Sequence, residues 1–246
     1  MSRYRMVVRY DGTNYVGYQV QPNGNTIQAE LEKALKKVHK GEPVKVTASG
    51  RTDARVHAMG QVIHFDTPLS IPPDNWKRAL TSILPDDIHI KSVEQVAEDF
   101  HARYDTIGKE YRYFVRNHKE PDLFRRHYTH HVKASLDMDA MVKACHYLKG
   151  ENDFTSFCSP KTDIKGSKVR TIYEADVKKQ LDEVIFTFRG SGFLYNMVRI
   201  LVGTLLEVGR NERTPEDILA IIEAKDRGAA GKTAPPQGLF LWEVFY

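Results

Sequence analysis

VTASGRTDARVHAMGQVIHF, residues 46–65, reads as a strand, a polar loop and a second strand, and this hairpin sets the order of the elements around it. Val44, Val46 and Ala48 alternate with Lys45 and Thr47, and beyond the loop Ile63 and Phe65 alternate with Val62, His64 and Asp66. A period of two marks a strand with one buried face. The loop carries one carboxylate, Asp53, between Arg51 and Arg55. A neighbouring opposite charge lowers an Asp pKa by about one to three units, so this carboxylate stays ionised well below neutral pH. Such a group suits a nucleophile or an electrostatic stabiliser better than a general acid. Taken by itself, an R-x-D loop also reads as a pair that braces its own turn.

Upstream, Tyr4, Met6, Val8 and Tyr10 alternate with Arg3, Arg5 and Arg9, which predicts a first strand. A helix follows, with Asn25 as cap, Gln28 three residues on, and Ile27, Leu31, Leu35 and Val38 as its apolar stripe. Its Lys33, Lys36, Lys37 and Lys40 read as a solvated face. Downstream, Pro72 and Pro73 open a helix carrying Trp76, Leu80 and Ile83, and 88–96 gives another strand. The order is β-α-β-β-α-β.

From Lys109 the order repeats. Strands are predicted at 110–115, 169–177, 184–188 and 239–246. Helices are predicted at 137–148, with Met138, Met141, Val142, Cys145 and Leu148 inward, and at 193–208 and 215–224. The reading is an α+β protein of two ferredoxin-like β-α-β-β-α-β halves, 1–105 and 106–246, alike in element order only.

With 246 residues, 41% hydrophobic and 28% charged, the chain has the makings of an ordinary globular core. A formal charge of +4 permits an anionic partner without demanding one. Two cysteines, no leader-like apolar region in MSRYRMVVRY and no apolar run near the roughly 20 residues of a membrane span point to a reducing cytoplasm and no membrane partner. His127, His130, His131, Cys145, His146 and Cys158 lack metal-ligand spacing, so no metal is expected. Ser156 and Ser191 lack triad partners, and acyl transfer is discounted.

Several residues read two ways. Tyr111, on a strand with Tyr113 on its own face and Arg112 and Phe114 on the other, is a core aromatic or a stacking surface. Arg199 lies in a helix otherwise lined by Phe193, Leu194, Met197, Val198, Ile200 and Leu201, so its charge must reach water or meet a partner, naturally a carboxylate. His57 and His64 flank the Asp53 loop and read as loop support and surface packing. Basic and aromatic residues interleave over 103–131, and Lys161, Lys165, Lys168 and Arg170 add charge, as an RNA surface requires.

The runs GRTD, VHA and GQVIHF, followed in order by FHARY, KEYRYF, NDFTSF, VRTIYEADV, GFLYNMVRILVGTLLEVG and TAPPQGLFLWEVFY, closely resemble the tRNA pseudouridine synthases of the TruA family over nearly the whole chain. The resemblance implies two halves with their sheets side by side and an active-site cleft between them. It implies Asp53 as the catalytic nucleophile, Tyr111 stacked on the target uracil, and Arg199 paired with Asp53. Arg51 would displace the target base, and Arg55, Lys109 and Arg112 are candidate substrate-binding cations. The implied partner is a tRNA, bound at its anticodon arm by a homodimer. The reaction breaks the N1–C1′ bond and remakes it through C5, so no atom is gained or lost and no cofactor is needed. One departure stands out: the family usually has Gly where this chain has Arg55, so the loop either runs through ordinary φ/ψ here or carries strain. That departure keeps a catalytically silent RNA-binding module or RNA chaperone as the rival, with a hydrolytic nucleosidase behind it.

Overall fold

The computed structural model describes residues 1–160 and 166–246, so Lys161 and Lys165 lie outside the described residues. Its elements run β1 (Ser2–Tyr10), α1 (Ile27–Val38), β2 (Thr47–Ala48), β3 (His57–Thr67), α2 (Pro73–Thr81), β4 (Ile88–Val96), β5 (Gly108–Asn117), β6 (His130–Val132) and α3 (Met138–Tyr147). They continue with β7 (Gly150–Asp153), β8 (Val169–Gln180), β9 (Glu183–Gly190), α4 (Met197–Gly209), α5 (Asp217–Ala224) and β10 (Leu239–Phe245). The protein is α+β. It divides into two compact units, one of Met1–Ile107 with Phe240–Tyr246, the other Gly108–Leu239. The final strand, read as closing the second half, thus contributes Phe240–Tyr246 to the first unit.

In the first unit β1 runs antiparallel to both β3 and β4, and β2 antiparallel to β3. This is the split β-α-β arrangement expected of the element order. The alternation predicted for β1 holds: Tyr4, Met6, Val8 and Tyr10 are buried. β2 is much shorter than predicted. Val44 and Val46 are buried without joining the strand, and the edge of β3 left beside it pairs Phe240 and Leu241 in parallel with His57 and Ala58. β3 is accordingly buried on both faces and does not alternate.

Helix α1 is capped by Thr26, whose hydroxyl accepts from the Ala29 amide at 3.3 Å, and not by Asn25. Ala34 joins Ile27, Leu31 and Leu35 in its buried stripe, while Val38 sits half-buried at its last position. Pro73 opens α2, which ends at Thr81 and so leaves Ile83 outside it. Its Trp76 ring lies against Tyr4, His39 and Phe65 at 5.8, 5.6 and 5.3 Å between centroids. A fully buried side chain of this kind contributes about 1.5–3 kcal/mol by leaving water.

The other face of β1 is covered by the FHARY segment and the C-terminal residue. Arg5 lies over Phe100 and Tyr246, at 5.7 and 5.4 Å from the ring centres, and the Tyr246 hydroxyl donates to the Ala102 carbonyl at 2.5 Å. His64, expected at the surface, is buried here, and its Nδ1 accepts from the Ala102 amide at 3.1 Å.

In the second unit β9 lies antiparallel between β5 and β8, β7 adds beyond β8, and β6 pairs in parallel with β5. β7, sequence GEND, is a polar edge strand that hydrophobic patterning cannot signal. Asp137 caps α3 by accepting from the Ala140 amide at 2.9 Å, and Met141, Ala144 and Cys145 face inward, with Met138 and Val142 only half-buried. Helix α4 begins at Met197, not at Phe193. Asn196 before it takes the left-handed conformation, φ 60°, and the chain from Leu194 to Met197 is a turn. Cys145 and Cys158 are free and buried. Among the described residues no helix is long and apolar enough to cross a membrane.

Candidate active site

The residues singled out from the sequence fall into two groups. Arg51, Asp53 and Arg55 belong to the first unit; Lys109, Tyr111, Arg112 and Arg199 belong to the second.

In the first unit the loop between β2 and β3 is tied to the segment that follows β1. The Tyr18 amide donates to the Thr52 carbonyl at 3.0 Å and the Arg55 amide to the Tyr15 carbonyl at 3.2 Å. Gly12 passes so close that a Cβ there would sit 2.1 Å from the Val56 carbonyl oxygen, which only glycine permits. The Gly12 amide also donates to Nδ1 of His57 at 3.0 Å. His57, stacked on Phe240 with centroids 4.6 Å apart, is therefore the buried loop support expected of it.

The loop itself closes in a turn, the Val56 amide donating to the Asp53 carbonyl at 3.1 Å. Arg55 is the third residue of this turn and has φ 65°, which answers the question its identity raised: the chain is left-handed here without a glycine. Arg51, Ala54 and Arg55 are exposed, and Asp53 between them is half-buried. Three further groups escaped sequence reading. Thr52, Tyr10 and Gln61 form a buried set beneath the loop, with Tyr10 and Thr52 hydroxyls 2.8 Å apart. Tyr10 and Gln61 face inward from β1 and β3 and Thr52 from the loop, and no sequence period links the three.

In the second unit Tyr111 is buried on β5, opposite Phe188 of β9, and meets the Phe193 ring edge-on at 5.2 Å. Arg112 is half-exposed on the other face and its Nε donates to Glu110 at 2.7 Å. Lys109 is half-buried at the start of the same strand. Arg199 is held in the first turn of α4, its Nη1 donating to Asn196 Oδ1 and its Nε to the Ala234 carbonyl, both at 2.8 Å. The Ala234 amide returns a bond to the Arg199 carbonyl at 3.0 Å. Asn196 thus spends its side chain on the guanidinium and not on the helix amides. A partly buried guanidinium so fixed keeps a defined direction and a permanent charge.

Comparison with known proteins shows the family. The sequence pattern described as tRNA pseudouridine synthase matches residues 6–105 and 144–246. A protein of Exiguobacterium sibiricum called tRNA pseudouridine synthase A is 57% identical over 246 residues, covering 100% of this chain and 97% of that protein. Its namesake in Brevibacillus brevis is 56% identical, with 100% of both chains covered, and that of Oceanobacillus iheyensis 52%, with 100% and 97% covered.

Proposed function

We propose, for a chain that belongs to the tRNA pseudouridine synthase family, that Asp53 is the nucleophile with which it isomerises uridine to pseudouridine in the anticodon stem-loop of tRNA. The enzyme is an isomerase acting on tRNA. In the proposed sequence the Asp53 carboxylate adds to C1′ as the N1–C1′ bond breaks, and the electron pair of that bond leaves with the uracil. The freed base turns until C5 faces C1′. The C5–C1′ bond then forms as Asp53 departs, the C5 proton is lost, and N1 takes one up. Substrate and product have the same atoms, so no oxidant, reductant or carrier enters.

The remaining roles are assigned with it. Tyr111 offers the target uracil an aromatic surface, worth about 1–3 kcal/mol for a stacked base. Arg199 is the cation that keeps the catalytic carboxylate charged, and Arg51 displaces the target base from its stack. Arg55, Lys109 and Arg112 contact phosphates. The working form is a homodimer in the cytoplasm.

What carries the reading is the Asp53 loop, a half-buried carboxylate between two exposed arginines on a turn tied down from both sides. The test uses tRNA tritiated at uridine C5. Release of tritium marks the isomerase, free uracil a nucleosidase, and neither a binding module. Asp53→Asn is expected to abolish release while tRNA affinity changes little. A loss of about four orders of magnitude corresponds to roughly 5.4 kcal/mol of barrier, beyond what a turn-bracing residue supplies; comparable rates for the two proteins remove the assignment.

A further inference from the structure

Beneath the Asp53 loop lies a chain of buried hydrogen bonds that the scheme above does not use. Gln61, on β3 and fully buried, is clamped at both ends of its amide. Its Oε1 accepts from the Ser49 hydroxyl at 2.8 Å, and its Nε2 donates to the Gly50 carbonyl at 3.0 Å and to the Tyr10 hydroxyl at 3.4 Å. The Tyr10 hydroxyl, which accepts from Gln61, shares a second hydrogen bond with the Thr52 hydroxyl, 2.8 Å away. Tyr10 and Thr52 are 4% and 6% exposed, so water does not compete for either hydroxyl. Burial, the larger influence, raises the Tyr10 phenol to about 12 against the opposing bonds from Thr52 and Gln61, so the hydroxyl keeps its proton at working pH.

We propose that Tyr10 is a positioning residue for the catalytic carboxylate: its hydroxyl, oriented by Gln61, locks the Thr52 side chain and so fixes the peptide that carries Asp53. The loop's existence does not depend on this bond, because the Thr52 carbonyl and the Arg55 amide are tied independently to the 15–18 segment. What the phenol adds is direction. A nucleophile must meet C1′ along one line, and a misplacement near 1 Å can cost about a hundredfold in rate. The role rests on the assignment of Asp53 as nucleophile.

The experiment compares Tyr10→Phe, Thr52→Val and Thr52→Ser with Tyr4→Phe, which removes another buried phenol bond, 3.1 Å to the Ile71 carbonyl, away from the loop. Single-turnover and steady-state tritium release are measured beside tRNA affinity and melting temperature. Tyr10→Phe and Thr52→Val are expected to lower kcat about tenfold or more, with KM and tRNA affinity within about twofold. Thr52→Ser, which keeps the hydroxyl, is expected to restore most of the rate. The double variant Tyr10→Phe/Thr52→Val should be no worse than the poorer single one, since both remove the same bond. A Tyr10→Phe enzyme with unchanged kcat, one whose loss is matched by Tyr4→Phe, or one affected in KM alone overturns the proposal. Should Tyr10→Phe fail to fold, the Thr52→Val and Thr52→Ser pair decides the question by the same readouts. Asp53→Asn run alongside separates the two readings: an active Asp53→Asn removes the nucleophile, whereas an inactive one beside a fully active Tyr10→Phe removes only the positioning role.

Discussion

The amide of Arg55 donates to the carbonyl of Tyr15 at 3.2 Å, and this bond holds Arg55 at φ 65°, two residues beyond Asp53. Positive φ at the third position of a turn is the type II requirement that glycine meets without cost, whereas a residue with a Cβ pays about 1–2 kcal/mol. Strain of this sort persists where the surrounding structure over-determines it, often beside a functional group.

Arg55→Gly should therefore pull stability and binding in opposite directions. Relief of the left-handed strain, less the extra flexibility of glycine in the unfolded chain, leaves a gain of up to about 1 kcal/mol, or roughly 2–4 °C in a thermal melt. Loss of one phosphate contact should weaken tRNA binding and flatten the plot of log affinity against log salt by about 0.7–0.9. A lower melting temperature contradicts the strain; an unchanged salt slope contradicts the contact.

A second gain in stability is available behind the same loop. The Tyr18 hydroxyl is buried without a hydrogen-bond partner among the described residues, and burial holds its pKa well above the ordinary value. Leaving a buried polar group unsatisfied costs about 1–3 kcal/mol. Tyr18→Phe removes that group and keeps the ring, so denaturant unfolding should show a gain of about 1 kcal/mol at unchanged slope. A destabilised Tyr18→Phe protein means the hydroxyl has a partner after all.

How far the sequence disclosed this molecule depends on which interaction decided each feature. β1 was legible because the buried residues of one face alternate with half-buried ones on the other, and β4 because its first residues alternate between buried and exposed. β3 was half legible: its pattern marks a strand, but not that Phe240 and Leu241 would come from the far end of the chain to pair with His57 and Ala58. Such pairing depends on contacts between distant segments and leaves no local period. The Asp53 loop was legible as chemistry, through its charges, whereas its support by Tyr10, Thr52 and Gln61 was hidden, because these bonds join residues far apart in the chain that no local period connects. The start of α4 was misplaced since Phe193 and Leu194 continue the apolar pattern, and only the conformation of Asn196 ends it.

That conformation gives a third prediction. Asn196 at φ 60° is in a region that asparagine tolerates, glycine prefers and alanine resists, and its side chain holds the Arg199 guanidinium at 2.8 Å. Asn196→Ala and Asn196→Gly remove the same hydrogen bond, but only alanine adds backbone strain. Chemical denaturation should place alanine about 1–2 kcal/mol below glycine. If Arg199 serves the catalytic carboxylate, both variants should also lose turnover to a similar extent, and full activity in Asn196→Gly argues that the side-chain bond is dispensable.

The last prediction concerns pH. His64 is pulled down to about 4 from 6.5, chiefly by burial and next by the charge of Arg3 and by His101, against the smaller opposing pull of Asp66 and Asp105. The geometry agrees, because Nδ1 accepts from the Ala102 amide at 3.1 Å and a proton placed there would confront that N–H. Above about pH 6.5 the ring is neutral in both folded and unfolded chains and contributes nothing to the slope. As pH falls below that value the unfolded chain takes up the proton first, so stability declines steadily until the folded ring titrates near 4. Asp66, lowered mainly by its hydrogen bond to Arg3, adds its own loss only at still more acid pH. Denaturant unfolding followed from pH 7 to 4.5 should show this decline. His64→Asn, whose amide oxygen can replace Nδ1 as acceptor, should flatten it. An equal slope in the two proteins shows that some other group takes up the proton.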